Sequence, residues 1–280
     1  MLLPNSHQYG KQQRIMTELF EIKGLSKSYG RGANKRFAIK DITLDFPAHR
    51  SIGIVGESGS GKSTLARCLV GLLKPDSGNI LYKGKTVSTF TEEDSRKFRQ
   101  EVQMVFQDPY SSLNPRMKVQ EIVSEGIEVF RLAKNREDLL AKTKSVLNQV
   151  GIPDEMFSRY PRQFSGGQRQ RISIARSLAV SPEVLICDEP VSSLDVSIQA
   201  QILNLLRDLS RDLSLSMIFI SHDLGVIRYI ADYIVVMQNG QIQEQGTPAQ
   251  IFENPQSEYT KSLLNAVPIP DPRLQRNRFS

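Results

Sequence analysis

Two segments near the start of the chain alternate apolar and polar positions. Leu19-Phe20-Glu21-Ile22-Lys23-Gly24-Leu25 and the stretch 39–46, with Ile42-Thr43-Leu44-Asp45-Phe46, both predict strands with one buried face. Residues 30–37 between them (GRGANKRF) form a basic, glycine-rich loop. From Ser51 the pattern changes to short, uninterrupted apolar runs. Ile52-Gly53-Ile54-Val55 is one, followed by helical spacing from Lys62 to about Leu72, and 102–106, 184–187 and 217–220 are others. Runs of this kind belong to parallel strands buried on both faces. A helix over 197–213 carries Ile198, Ile202, Leu205, Leu206, Leu209 and Leu213 at helical spacing. Residues 234–237 and 241–244 flank Asn239-Gly240, a strong hairpin turn.

Strands and helices therefore alternate through the centre of the chain, which predicts an α/β fold with a parallel sheet. The polar, helix-like stretch 108–170 interrupts that alternation and is expected to form a lobe of its own, with an amphipathic helix over 135–150 stopped by Gly151-Ile152-Pro153. Residues 1–15 read as a tail, with Met16 a second possible start, and the proline-rich, basic 269–280 as another, leaving 16–268 as the working domain.

Composition narrows the possibilities. At 39% hydrophobic and 24% charged, 280 residues can bury a sizeable core. No apolar stretch approaches the roughly 18–20 residues of a membrane helix; the best candidate, 227–237, is broken by Arg228 and Asp232. The N-terminal segment lacks the apolar run of a secretion signal. Cys68 and Cys187 are too few for a disulfide scaffold or a four-cysteine metal site and read as small core residues. A net charge of +6, with a pI of about 9.3, favours anionic partners without choosing among them.

The chemistry is concentrated in a few motifs. Gly56-Glu57-Ser58-Gly59-Ser60-Gly61-Lys62-Ser63 is a complete phosphate-binding loop, placed after a strand and before a helix. Its glycines let backbone N–H groups wrap a phosphate chain, and the following helix adds its positive end. Lys62 is expected to reach the β- and γ-phosphates, Ser63 to bind Mg²⁺, and Thr64 to offer a second hydroxyl. The apolar strand 184–187 ends in Asp188 and Glu189, at the sheet edge where such folds bind ligands. Asp188 is the expected Mg²⁺ partner through water, and Glu189 is placed to take a proton from an attacking water. Together the two motifs predict nucleotide hydrolysis. A third motif, Phe164-Ser165-Gly166-Gly167-Gln168-Arg169-Gln170-Arg171, opens another helix with an N-capping serine and exposed N–H groups, a second candidate anion site.

That octet resembles the signature motif of the ABC ATPases, with Phe164 where leucine is more common. The resemblance covers roughly 19–268 and implies a P-loop NTPase fold with a RecA-like parallel-sheet core, an antiparallel β subdomain and an inserted helical subdomain. It implies ATP and Mg²⁺ as ligands. It makes Gln107 the Q-loop glutamine, acting in catalysis and on the metal, Ser192-Ser193-Leu194-Asp195 the D-loop, and His222 the switch histidine. Tyr29 matches the aromatic that stacks on adenine, although Phe37 could offer its ring instead. In such proteins two subunits meet head to tail, and Ser165, Gly166, Gly167 and Gln168 of one face the nucleotide held by Lys62 of the other.

Two longer segments, 107–116 (QDPYSSLNPR) and 188–201 (DEPVSSLDVSIQAQ), resemble the ATP-binding subunits of the oligopeptide, dipeptide and nickel importers, as does 259–272 (YTKSLLNAVPIPDP). Two features depart from that group: no cysteine follows Cys187, so no iron–sulfur cluster is expected, and His49-Arg50 replace the usual Gly-Glu. This resemblance implies a motor subunit at the cytoplasmic face of the cell membrane. Its partners would be integral-membrane permeases, docking near 107–116, and a second ATPase subunit, either a copy or a paralogue. An extracytoplasmic solute-binding protein would act indirectly, and no nucleic acid is expected. The alternative is an ABC ATPase of a non-transport complex, such as a carbon–phosphorus lyase accessory protein.

Overall fold

The computed structural model describes residues 18–266 apart from Arg31; the two tails and Met16 lie outside these. Strands β1 (Glu18–Tyr29) and β2 (Arg36–Pro47) form an antiparallel pair, and β3 (Ser51–Val55) leads through the phosphate loop into helix α1 (Lys62–Leu69). Next come β4 (Ser77–Tyr82), β5 (Lys85–Thr86), α2 (Glu92–Glu101) and β6 (Val102–Val105). Four helices then follow without a strand: α3 (Pro109–Ser112), α4 (Val119–Val129), α5 (Arg136–Gln149) and α6 (Gly166–Leu178). The chain continues through β7 (Val184–Asp188), α7 (Val196–Asp212), β8 (Ser216–Ser221), α8 (Leu224–Ile230), β9 (Tyr233–Gln238) and β10 (Gln241–Gly246), ending in α9 (Pro248–Glu253) and α10 (Glu258–Ala266).

These strands make two sheets. One is antiparallel, in the order β2-β1-β4-β5; the other runs β10-β9-β3-β8-β7-β6 and is parallel except for the β9–β10 hairpin. The apolar runs follow from burial on both faces of the second sheet. In β7 and β8, Leu185, Cys187, Met217 and Phe219 face a core shared with the helices, while Val184, Ile186, Ile218 and Ile220 face a core shared with α1 and the antiparallel sheet. One-sided strands alternate instead: Phe20, Ile22, Ile42, Leu44 and Phe46 all join that second core.

Several elements differ in extent from the hydropathy pattern. Helix α1 ends at Leu69, because Gly71 takes a left-handed φ of 75° and stops it before Leu72. In α7 the apolar stripe buries Ile202, Leu206 and Leu209, but Leu213 falls at the C-cap and stays exposed. Strands β4 and β5 and helices α2, α8, α9 and α10 are elements that the reading of the sequence above does not predict. Helix α2 is mostly charged and is started by a capping box in which Thr91 and Asp94 exchange hydrogen bonds.

Both cysteines are core residues, 1% and 0% exposed. Burial pushes the Cys68 thiol up to about 11 and the Cys187 thiol further still. The native protein should therefore resist thiol-specific labelling at mildly alkaline pH, with both thiols reacting only after denaturation. Fast labelling of the folded chain, followed by mass spectrometry, would contradict this placement.

Candidate active site

Strand order decides which residues meet. β3, β8, β7 and β6 are successive neighbours in the sheet, and their carboxyl ends point the same way. In register, Val55 lies beside Ser221, Asp188 beside Ile220, and Val105 beside Cys187. The next residues along each strand are the phosphate loop, His222, Glu189 and, two positions on, Gln107. Four segments spread over more than half the chain thus converge on one edge, where parallel sheets bind ligands.

The phosphate loop is shaped by neighbours distant in sequence. Gly61 has φ 103°, and a Cβ there would lie 2.2 Å from the Ala38 carbonyl oxygen of β2. At Gly56 a Cβ would meet the Met237 carbonyl at 2.1 Å. The Gly240 N–H, at the tip of the β9–β10 hairpin, donates to the Ser60 carbonyl at 3.0 Å. Pressed between β2 and this hairpin, the loop has room only for glycine at both positions.

Lys62 is 4% exposed, and its Nζ donates to the carbonyls of Gly56 and Glu57, both at 2.8 Å. Burial lowers its pKa, against the opposing charges of Glu189 and Asp188. The Ser63 hydroxyl donates to Asp188 Oδ1 at 2.9 Å. Asp188 is 3% exposed, and burial raises its pKa while the Ser63 hydrogen bond works the other way. Two hard oxygen donors held side by side, next to a phosphate loop, suit a divalent ion that takes few protein ligands and completes its shell with water and phosphate. Thr64 lines the same cleft, an open space of about 680 Å³.

Glu189 stands at the end of β7 in the left-handed region, with φ 46°. Its N–H donates to the Ile220 carbonyl at 3.0 Å, and its carbonyl accepts from the Ser192 N–H at 3.3 Å and the Ser192 hydroxyl at 3.1 Å. The carboxylate is thereby aimed into the cleft. Its Oε2 accepts from Gln107 Nε2 at 3.1 Å and lies 3.2 Å from His222 Nδ1. Three side chains from three strand ends thus meet at one oxygen.

The signature segment lies elsewhere. Ser165 and Gln168 close a capping box at the start of α6, with Ser165 N–H donating to Gln168 Oε1 at 3.0 Å and Gln168 N–H to Ser165 Oγ at 3.3 Å. Gly167 packs so tightly on α7 that a Cβ would lie 2.4 Å from Ile198 Cγ2, and Gly166 sits against Leu194. Among the described residues, none of Ser165, Gly166, Gly167 and Gln168 lines the cleft that holds Lys62. Tyr29 and Phe37, the two candidates for stacking on adenine, are each 47% exposed and also do not line it. Leu263 and Ala38 do line it. Leu263, on α10, carries no chemistry of its own that spacing could mark; in the sequence only the motif 259–272 points to this segment.

A phosphate loop, a strand-end carboxylate pair and a histidine on the adjoining strand define a P-loop nucleotide hydrolase. The family model described as ABC transporter matches residues 39–192. The oligopeptide transport ATP-binding protein OppF of Streptococcus mutans is 47% identical over 263 residues, 94% of this chain and 85% of the relative. The dipeptide transport ATP-binding protein DppF of Lactococcus lactis is 46% identical over 271 residues, 94% and 86% of the two chains. Among solved structures, cbiO1 of Clostridium perfringens, part of an ABC transporter complex, aligns with a TM-score of 0.78 at 28% identity, over 94% of this chain and all of that one. The dimeric ATP-binding cassette MJ0796, in a post-hydrolysis state with ADP and Pi, aligns with a TM-score of 0.74 at 27% identity, over 82% and 98%. The chain belongs to the ABC transporter family, as an ATP-binding and ATP-hydrolysing subunit.

Gly61→Ala should weaken ATP binding by about tenfold or more, since the added carbon meets backbone in a conformation that strains any L side chain. Calorimetric titration of the folded variant checks this; wild-type affinity would mean that the loop is not held by β2.

Proposed function

We propose that this chain is the motor subunit of an importer for peptides or a related small solute, working on the cytoplasmic face of the cell membrane with permease subunits and a second ATPase subunit. The relatives' names, oligopeptide and dipeptide transport, favour this over a non-transport complex. Among the described residues, no helix is long and apolar enough to cross a membrane, so the proposal assigns the membrane path to other chains.

The observation that carries the hydrolytic reading is the convergence of Gln107 and His222 on one oxygen of Glu189. In this reading, the loop N–H groups and Lys62 hold the β- and γ-phosphates, and Thr64 adds a hydroxyl. Ser63 and Asp188, with Gln107, hold Mg²⁺, which supplies charge neutralisation at the phosphate oxygens when bound. Glu189 accepts a proton from the attacking water, while Gln107 and His222 fix the carboxylate and that water. Phosphoryl transfer needs positioning and charge more than covalent chemistry, which suits a site built from strand ends. Tyr29 takes the adenine.

The signature segment completes the site from a second subunit. Ser165 and Gly166 to Gln168 present a helix N-terminus that does not line the cleft of the chain's own phosphate loop, and the dimeric state described for MJ0796 favours a pair of subunits, which this reading sets head to tail. The second subunit is a copy of this chain or a paralogue. Helix α3 and the residues up to Arg116 form the permease-docking surface, since they directly follow Gln107. The exposed ring of Tyr110 belongs to that surface. A solute-binding protein outside the membrane chooses the cargo.

Glu189→Gln should cut turnover by about a hundredfold or more while leaving ATP binding in place, so that an ATP-bound dimer accumulates in light scattering. Wild-type turnover would remove Glu189 from the proposed mechanism. Deleting the gene should abolish uptake of labelled peptides in cells that depend on this transporter; unchanged uptake of every peptide tested would redirect the cargo assignment.

A further inference from the structure

The motif 259–272 has no part in the mechanism above, although its first residues lie in the described chain as α10. Helix α10 reaches the phosphate loop. The Glu57 N–H donates to the Tyr259 hydroxyl oxygen at 3.2 Å. One turn further on the same face, Leu263 forms part of the wall of the nucleotide cleft.

Glu57 is where the chain leaves β3 and bends into the loop. Its carbonyl accepts from the Ser60 N–H at 3.2 Å and from Lys62 Nζ at 2.8 Å. The Tyr259 contact secures the remaining backbone group of that residue, so both its N–H and its C=O are held by protein. The start of α10 is itself held from behind. Just before α10, the N–H groups of Gln256 and Ser257 donate to the two carboxylate oxygens of Glu244, at 2.8 and 3.1 Å. Glu244 lies on β10, and the β9–β10 turn grips Ser60 through Gly240. One hairpin therefore supports the loop on two sides, directly at Ser60 and through α10 at Glu57.

We propose that Tyr259 is a positioning residue for the phosphate loop and that α10 is a working wall of the ATP site through Leu263. The proposal rests on the nucleotide reading of this cleft. Tyr259 touches no reacting atom; it acts by fixing Glu57, whose carbonyl in turn fixes Lys62. A loop already shaped for phosphate loses less order on binding, so the hydroxyl adds affinity rather than speed.

The test uses the full chain and ADP as the titrant in calorimetry, with steady-state ATP hydrolysis in parallel. Tyr259→Phe keeps the ring and removes the acceptor. It should raise the ADP dissociation constant by about three- to tenfold, the worth of one hydrogen bond, and the loss should fall on KM rather than kcat. Tyr259→Ala and Leu263→Ala should weaken binding further by opening the wall. Lys62→Ala serves as the reference and should lose nearly all affinity. If Tyr259→Phe binds ADP as the wild type does while Lys62→Ala fails, α10 is packing alone and the proposal falls with the nucleotide reading intact. If Lys62→Ala also binds normally, the nucleotide reading falls and takes the proposal with it. Should Tyr259→Ala not fold, the phenylalanine variant decides alone.

Discussion

The structure depends on holding one short loop in a shape that its own residues cannot enforce. Residues 56–61 contain three glycines, and a glycine-rich segment has more conformations to lose than any other. The restraints come from outside the loop. Ala38 and Met237 carbonyls close on Gly61 and Gly56, the Gly240 N–H takes Ser60, and the Tyr259 hydroxyl takes Glu57. Freedom lets the backbone N–H groups point inward; confinement keeps them there. Lys62, buried among these contacts, keeps its ammonium hydrogen-bonded to loop carbonyls, which offsets the cost of removing it from water.

The carboxylates obey a related constraint. Asp188 is almost fully buried and sits one residue before Glu189, whose backbone is forced into the left-handed region. That reversal directs successive side chains of one strand end to different tasks, one toward Ser63 and one toward Gln107 and His222. Conformational strain at such a position persists only when surrounding bonds over-determine it. Ile220 and Ser192 supply those bonds from the neighbouring strand and from the turn that follows.

The same sheet explains why the two anion-directed helix starts stay apart. Helix α1 leaves the edge of the parallel sheet, whereas α6 follows the helical stretch between β6 and β7 and packs by Gly167 against α7. Close packing at Gly167 fixes the axis of α6, and the capping box ties the Ser165 and Gln168 N–H groups to side-chain oxygens. Within the described residues the start of α6 and the carboxylate cluster therefore stay separate, the arrangement on which the proposed pairing of subunits rests.

Much of this was legible in the residues themselves. Apolar runs marked the parallel strands because a strand buried on both faces has nowhere to put a polar side chain, and the phosphate loop and carboxylate pair were visible because their chemistry needs particular residue types at fixed spacing. Helix α2 was hidden because a solvent-facing charged helix has little apolar stripe, and α10 because its contribution is a hydroxyl and a methyl-bearing wall rather than a catalytic group. Strand order was beyond any local pattern: only long-range pairing sets β3 beside β8, and β8 beside β7. The chain alone determined which groups are present, since composition and spacing are local properties. Tertiary structure decided which of them meet, because Gln107, Glu189 and His222 are brought to one oxygen by sheet register, which no short stretch of sequence encodes.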